Sequence, residues 1–396
     1  MPIDRSRLRA LNAANLEAIL DFGGELVELE LAGRSFADRH LKDAKFVQCD
    51  LRGADFSRCR LAGLSFLLCR MDGALFDDAS LDRVTMMKCS APGATWRGAR
   101  FENTQLCDTD LSGADLTAAR LRRTALVKTT LDDARLGAVR IHEVFIVDGA
   151  LAGADLSGAE LTNSAFTNCD LSNVAHDGIR ADTLMFVDAD LTSWCLRGLH
   201  LPRCNFQEAN LVEVDLGDAD LTQCQFTRAR MAGARLTGAT ANSTVFLDSD
   251  LAQADFSGAR LQGAIFNQSD LSGANFQGAG MTQAVLEQAS AIRTSFRGAD
   301  LSYAIGRRAD FRGADFRGAS VFRFDLHGAD ADLAHWDPRA RGRTLPTDPA
   351  RHIAEIYDPV AIHRRSHLRV HSGSDAVESG TQAASIESGS VRHLTG

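Results

Sequence analysis

The stretch "ADLTQCQFTRARMAGARLTG", residues 219–238, reads as four five-residue words laid end to end. Each word opens with alanine or cysteine and carries a large apolar residue in third place: Leu221, Phe226, Met231 and Leu236. Neither regular element accommodates that beat. A helix of 3.6 residues per turn smears a period of five around its surface, and a flat strand sends successive third residues to opposite faces. A backbone that turns a corner once per word does accommodate it. Four words then make one square coil, and every third residue points at the axis.

Working outward, the beat holds without insertion or deletion from Phe36 to Trp336. The centre of each word falls at every position ending in 1 or 6, giving 61 centres of which 28 are Leu and 17 are Phe. Seventeen of the chain's 21 phenylalanines therefore sit on one column of the ruler. The position two before the centre is Ala in 31 words and Cys in 7, small enough to leave room where backbones come close. The remaining three positions face water. Coils stack through backbone hydrogen bonds at about 4.8 Å, so fifteen of them span roughly 70 Å.

Words such as "ADFSG" (254–258), "ANFQG" (274–278) and "ADFRG" (309–313) carry a resemblance to the pentapeptide-repeat family. What the resemblance implies is an all-β fold, a right-handed quadrilateral β-helix. The expected organisation is an N-terminal helix and cap over 1–35, a solenoid of about 15 coils over 36–336, and a linker, short helix and disordered tail over 337–396. In the first segment Leu8, Leu11, Asn15 or Leu16, Ile19 and Phe22 recur on one face of a helix ending at Gly23–Gly24. That helix would cover the open end of the stack, whose unpaired backbone groups otherwise recruit another chain. At the other end "ARHIAEIYD" (350–358) reads as a short helix, and the polar low-complexity residues 372–396 read as disordered.

Centres twenty residues apart stack directly. One face then carries Phe166, Phe186, Phe206, Phe226, Phe246 and Phe266 as an internal ladder. A second carries Phe36, Phe56, Phe76 and Trp96, then Phe256, Phe276, Phe296, Phe316 and Trp336. These rings are core and not a groove for bases or sugars. Cys49, Cys59, Cys69, Cys89, Cys169, Cys204 and Cys224 occupy the small inward slot. Their parallel Cβ vectors suit neither a zinc tetrahedron nor a disulfide, so they are expected as reduced, small hydrophobes. Cys107 and Cys195 fall off the slot and are expected to be exposed. The beat weakens at "SNVAHDGIRADTLMF" (172–186). There the centres are His176 and Ala181, the slots are Val174, Ile179 and Leu184, and His176 is expected to swing out of a widened coil. Trp194 and Leu199 also replace small slot residues, and a second weak point has Gly306 as its centre, before Arg307 and Arg308.

Composition narrows the function. Net charge is −9, with only four lysines, and nothing favours nucleic-acid or membrane binding. No apolar run is long enough to span a bilayer. The N-terminus lacks the apolar block and cleavage site of a signal peptide, so a cytoplasmic protein is expected, with signal-independent export left open. Dinucleotide-binding, phosphate-loop, zincin and nucleophile-elbow motifs are absent, and no cofactor or metal is expected. His363, His367 and His371 in "HRRSHLRVH" share a helical spacing but read as an exposed charged segment.

Charge is uneven: residues 36–100 carry net +3 and residues 151–250 net −8. One outward column reads Asp170, Asp190, Asn210, Arg230, Asp250, Asp270, Ser290, Asp310, Asp330. Its carboxylates are the candidate contact for a cationic partner. A rigid rod with flat faces points to a non-enzymatic scaffold or adaptor that binds another protein, with association through an end left open. Two uses of the family are implied by the resemblance. Some members mimic duplex DNA and occupy DNA gyrase or topoisomerase; this chain is longer, mixed in charge in its first third, and lacks a clear C-terminal dimerising module. Others accompany type VI secretion, and the short helix, "GGELVELELAG" and repeats resemble that accessory kind.

Overall fold

The computed structural model describes residues 15–350 and 352. Two compact units divide the chain, one running to Thr347 and the other beginning at Asp348. In the first unit each coil consumes twenty residues, because residue i pairs in parallel with residue i+20 from Gly24↔Ala44 onward to Asp325↔Leu345. Four words per coil follow directly, and the unit is a β-solenoid.

The centres bury almost without exception. Phe36, Phe46, Phe56, Phe206, Phe226 and Phe246 have no exposed surface. Both ring ladders form: Phe206–Phe226 stack at 4.8 Å and 3°, Phe36–Phe56 at 4.7 Å and 10°. The ladders also meet edge to face across the axis, with Phe246–Phe256 at 5.7 Å and Phe256–Phe266 at 5.8 Å. Such pairs add about 0.5–1.5 kcal/mol each beyond their buried area.

How a word turns its corner was not expected from the beat. The last residue of a word takes positive φ, for example Gly53 at 60° and Arg58 at 57°. At most corners the next slot N–H then donates to the centre carbonyl, as Ala54 does to Leu51 at 3.0 Å. That is a turn whose third residue must be left-handed, which explains the glycine ending so many words. Through residue 187, however, two of the four faces run as three- or four-residue strands. They form a nine-stranded sheet from Gly24–Val27 to Met185–Val187 and an eight-stranded sheet from His40–Lys42 to Arg180–Asp182. Among the described residues, the slot amides after these strands, such as those of Leu64, Cys69, Val84 and Cys89, make no such turn bond. From Leu201 onward all four faces close with it, beginning with Cys204 N–H to the Leu201 carbonyl, except at Ser249, whose N–H donates to Ser269 Oγ.

The helix at the N-terminal end covers Leu16–Phe22 and stops at Gly23, whose N–H donates to the Ile19 carbonyl at 2.9 Å. Leu16 and Leu20 are buried and Ile19 is packed against the core. Phe22 corrects the expectation, being 84% exposed. It lies about 200° round the helix from Leu20, so it points away from the stack. The helix is tied to the first coil by Glu17 with Arg34 (2.6 Å) and Arg39 (2.8 Å), and by Asp21 with Arg39 (3.0 Å). Leu8 and Leu11 lie outside the described residues.

At the other end, residues 337–347 continue the last coil out of the five-residue register. Leu345 donates to the Phe324 carbonyl and accepts from Leu326, both at 2.8 Å. Of the second unit, Asp348, Pro349, Ala350 and His352 are described: the His352 N–H donates to the Asp348 carbonyl at 2.9 Å. The rest of the expected 350–358 helix and the tail 372–396 lie outside the described residues. No described helix is long and apolar enough to cross a membrane.

Candidate interaction surfaces

The acidic column forms in register: Asp170↔Asp190↔Asn210↔Arg230↔Asp250↔Asp270↔Ser290↔Asp310↔Asp330 are successive bridge partners. The structure also assigns these carboxylates a local task. One oxygen of each accepts the N–H two residues on, from Ser172, Thr192, Ala252, Ser272, Arg312 and Asp332 respectively. This is the side-chain-to-backbone bond that makes Asp and Asn good turn residues. Asp310 is further neutralised by two-pronged contact with Arg312, which lowers its pKa. Burial raises that of Asp190, but the Thr192 N–H and the Asn210 amide outweigh it and the net shift is downward. Asp250, Asp270 and Asp330 are exposed, and Oδ2 of Asp330 lies 3.8 Å from the Arg312 guanidinium.

Seven cysteines are buried, Cys107 is half-buried and Cys195 is exposed, and all nine are free. Burial pushes the thiols of Cys59, Cys169 and Cys204 up to about 11, so they stay protonated. Several bond to the centre carbonyl one coil earlier, as Cys69 does to Phe46 at 3.3 Å. Among the described residues no group of three or more His, Cys, Asp or Glu is placed to hold a metal. His363, His367 and His371 lie outside the described residues.

His176 does not swing out. It is half-buried and stacks on Trp194 at 4.6 Å and 8°. Its Nδ1 bonds the Val174 carbonyl and its Nε2 accepts the Cys195 N–H, each at 2.9 Å. Both ring nitrogens are thus committed to the backbone, which leaves neither free as a base. The bulky slots do fill the lost central volume: Val174, Ile179, Leu184 and Trp194 are all buried. At Gly306 the same logic appears in another form. A Cβ there would lie 2.9 Å from ring atoms of Phe311 and Phe324, because Phe324 in the next coil's small slot occupies the vacant centre.

The outward faces of the two sheets differ sharply, which sequence reasoning missed. The eight-stranded sheet presents sixteen outward side chains, eleven of them charged, including the run Arg100, Arg120, Arg140. The nine-stranded sheet presents eighteen, of which only Glu25 and Lys45 are charged. Its column Val27, Val47, Leu67, Met87, Cys107, Val127, Val147, Thr167, Val187 is apolar at eight of nine positions. Phe145 (54% exposed) and Met185 (44%) stand beside it. Where the two sheets meet, Asn103, Thr104, Gln105, Arg123, Thr124, Ala125, Glu143 and Phe145 line a cleft of about 460 Å³. The signal was present in the sequence, as an apolar residue at every twentieth position one step past a centre.

Residues 27–96 and 199–276 match the pentapeptide repeat region family, and residues 93–123, 150–174 and 289–328 match pentapeptide repeats (8 copies). Together these matches cover more than half of the chain, which belongs to the pentapeptide-repeat family. No curated protein matches it in sequence. Among solved structures, a pentapeptide repeat protein of the Arabidopsis thaliana thylakoid lumen is 29% identical, over 28% of this chain and 69% of that one, with a TM-score of 0.15. Full-length QnrB1, a plasmid-mediated fluoroquinolone resistance protein, is 16% identical over 61% and 92%, TM-score 0.24. HetL of the cyanobacterium Nostoc sp., involved in heterocyst differentiation regulation, is 22% identical over 82% and 92%, TM-score 0.11.

Proposed function

We propose that this pentapeptide-repeat protein is a non-enzymatic scaffold or adaptor that presents its lateral faces to another protein. The observation that carries the reading is the division of labour within each word. Both inward positions are spent on a dry core, so the outward positions form in-register columns at strand spacing. Rigid columns of this kind offer an extended surface with little ordering cost on binding. The exposed carboxylates of Asp250 and Asp270, with Asp330 beside its Arg312 partner, are the proposed contact for a cationic partner on the C-terminal coils. A role accessory to bacterial secretion is the narrower form of this reading, motivated by the N-terminal arrangement. The test is affinity capture from the native cell with the full chain as bait. Recovery of one stoichiometric protein is expected, and recovery of none would remove the reading.

The net −8 of residues 151–250 favours a second reading, a DNA mimic that binds gyrase or topoisomerase. Mimicry needs a contiguous negative face, whereas Asn210, Arg230 and Ser290 interrupt the column and Arg312 neutralises Asp310. Gyrase supercoiling assayed with a large molar excess of the protein separates the readings: the adaptor leaves it unchanged, the mimic depresses it.

A further inference from the structure

We propose that this chain associates laterally with further copies of itself, the arginine-bearing face of one copy docking on the aspartate-bearing face of the next, with the two solenoids antiparallel. The inference rests on the reading of the lateral faces as protein-binding surfaces, and names the cationic partner of Asp250 and Asp270 as a second copy. Four words per coil put the column that starts at His40 and the column that starts at Glu30 on opposite sides of the solenoid. From His40 to Ala340 the first carries six arginines against three carboxylates; from Glu30 to Asp330 the second carries nine carboxylates against two arginines. Arginines one coil apart, such as Arg100↔Arg120, repel. Arg140 and Arg180 in this column both pair with Glu160, yet Arg60, Arg100, Arg120 and Arg260 are exposed and no ion pair engages them among the described residues.

Register selects the occupant. Both columns belong to one solenoid, so their side chains repeat at the same spacing of about 4.8 Å. A copy turned end over end lays its acidic column along the basic column of the first. In one register all four unpaired arginines meet an aspartate: Arg60 with Asp310, Arg100 with Asp270, Arg120 with Asp250 and Arg260 with Asp110. Asp250 and Asp270 are likewise without an ion pair among the described residues, each giving one oxygen to a turn N–H. Sliding by one coil in one direction sets Arg100 against Ser290 and Arg260 against Thr130. Sliding in the other sets Arg120 against Arg230 and Glu160 against Asp190.

The like charges that this register brings together are relieved within their own chain. Arg140 faces Arg230 but holds Glu160 at 3.1 Å. At the corners bordering the two faces Arg58 approaches Arg308, Arg83 approaches Arg293, and Asp148 approaches Asp218. Arg58 is paired with Asp38 at 2.7 Å, Arg83 with Asp82 at 3.1 Å, and Asp218 with Arg197. In the second column of each face Lys42 meets Asp332 and no like charges meet. About fifteen shared coils on a face about 12 Å wide bury on the order of 800 Å² per partner, the size of a stable interface. Because the two docking faces lie on opposite sides, the contact is heterologous and does not close, so rows grow copy by copy. The other two faces stay open to a foreign protein.

The experiment is sedimentation velocity of the purified full-length chain. At about 0.1 M salt the mean sedimentation coefficient is expected to rise with concentration past that of a dimer. At about 1 M salt, where screening acts within about 3 Å, it should fall to that of the monomer. Arg100→Glu with Arg120→Glu should weaken association at least tenfold, and so should Asp250→Arg with Asp270→Arg. Mixed in equal amounts the two variants should associate again, because the reversed face of each matches a face of the other. Loss of folding in either variant does not produce that rescue. A monomer at every concentration, a dimer that stops growing, association that survives about 1 M salt, or variants that fail to rescue each other would overturn the proposal. None of these outcomes touches the adaptor reading, which falls only if affinity capture recovers no foreign protein.

Discussion

Residues 24–187 and residues 190–336 follow the same five-residue ruler and bury the same kinds of centre, yet they turn their corners differently. In the first region two faces are strands with open corners, and in the second every corner but that at Ser249 is closed by a slot amide. The slots track the difference. After the strands they include Leu64, Val84, Thr104, Thr124, Cys69, Cys89, Thr109 and Thr129, with Gly149 and Ala189 as small exceptions. At the closed corners of the same coils they are mostly alanine, as at 54, 74, 94, 114 and 134. A larger slot residue holds the corner apart, and its thiol or hydroxyl supplies the bond the missing turn would have made, as Thr129 does to the Leu106 carbonyl at 3.2 Å. Slot chemistry alone does not decide the matter, since Cys59, Cys224 and Thr244 sit at closed corners. Parallel ladders are cooperative between neighbouring coils, so an open corner favours an open one above it. The change falls at Val174 to Leu199, where the bulky slots and His176 interrupt the stack. Inward pattern and corner geometry are separate properties of one repeat.

The comparison can be broken most forcefully at the axis the two regions share. Phe206→Asp buries an unpaired carboxylate in the ring ladder, and should cost more than about 4 kcal/mol. Thermal melting should lose its single cooperative transition, and Phe66→Asp in the first region should do the same. At the junction, Trp194→Ala removes the ring on which His176 stacks and should cost about 3–5 kcal/mol by denaturant titration. It should also uncouple the two regions, so that the melt resolves into two steps. Within the second region, Gly306→Leu drives a side chain into Phe311 and Phe324, at about 1–3 kcal/mol. Adding Phe324→Ala should recover most of that loss, because the pair then regains the ordinary large-centre, small-slot pattern.

The smallest effect should be equal on both sides. Asp50 in the first region and Asp315 in the second are held at about 2, chiefly by hydrogen bonds from Arg52 and Arg317 against the upward pull of burial. Their unfolded values lie near 3.9. A folded pKa below the unfolded one gives stabilisation that is complete above about pH 4 and drains as pH falls through 2. The arginine partners are about half exposed, so each pair is worth under about 1 kcal/mol. Asp50→Asn and Asp315→Asn should each flatten the acid limb of a stability-against-pH curve by that amount.

Period five made everything inward legible: the four-word coil, the two ring ladders, the buried cysteines and the compensation at Val174, Ile179 and Leu184. It was silent on what depends on backbone dihedrals. The glycine ending a word answers a positive φ, and the Asp in second place answers an N–H two residues on. Neither need has a spacing that apolar counting detects. Phe22 was misplaced because a seven-residue helix offers too few turns to fix its own face. His176 was misjudged because its stacking partner, Trp194, lies eighteen residues away and was assigned only to filling volume. The apolar strip was overlooked because outward positions were counted together as polar, and the eye follows charge before a repeated valine.

Residue-resolved hydrogen exchange on the native chain tests the separation of inward pattern from corner geometry most directly. The account predicts that slot amides at Leu64, Cys69, Val84 and Cys89 exchange at least tenfold faster than those at Ala209, Ala219, Ala229 and Ala239, which donate to centre carbonyls. Centre amides should be equally protected in both regions. Equal protection of the two sets of slot amides would contradict it.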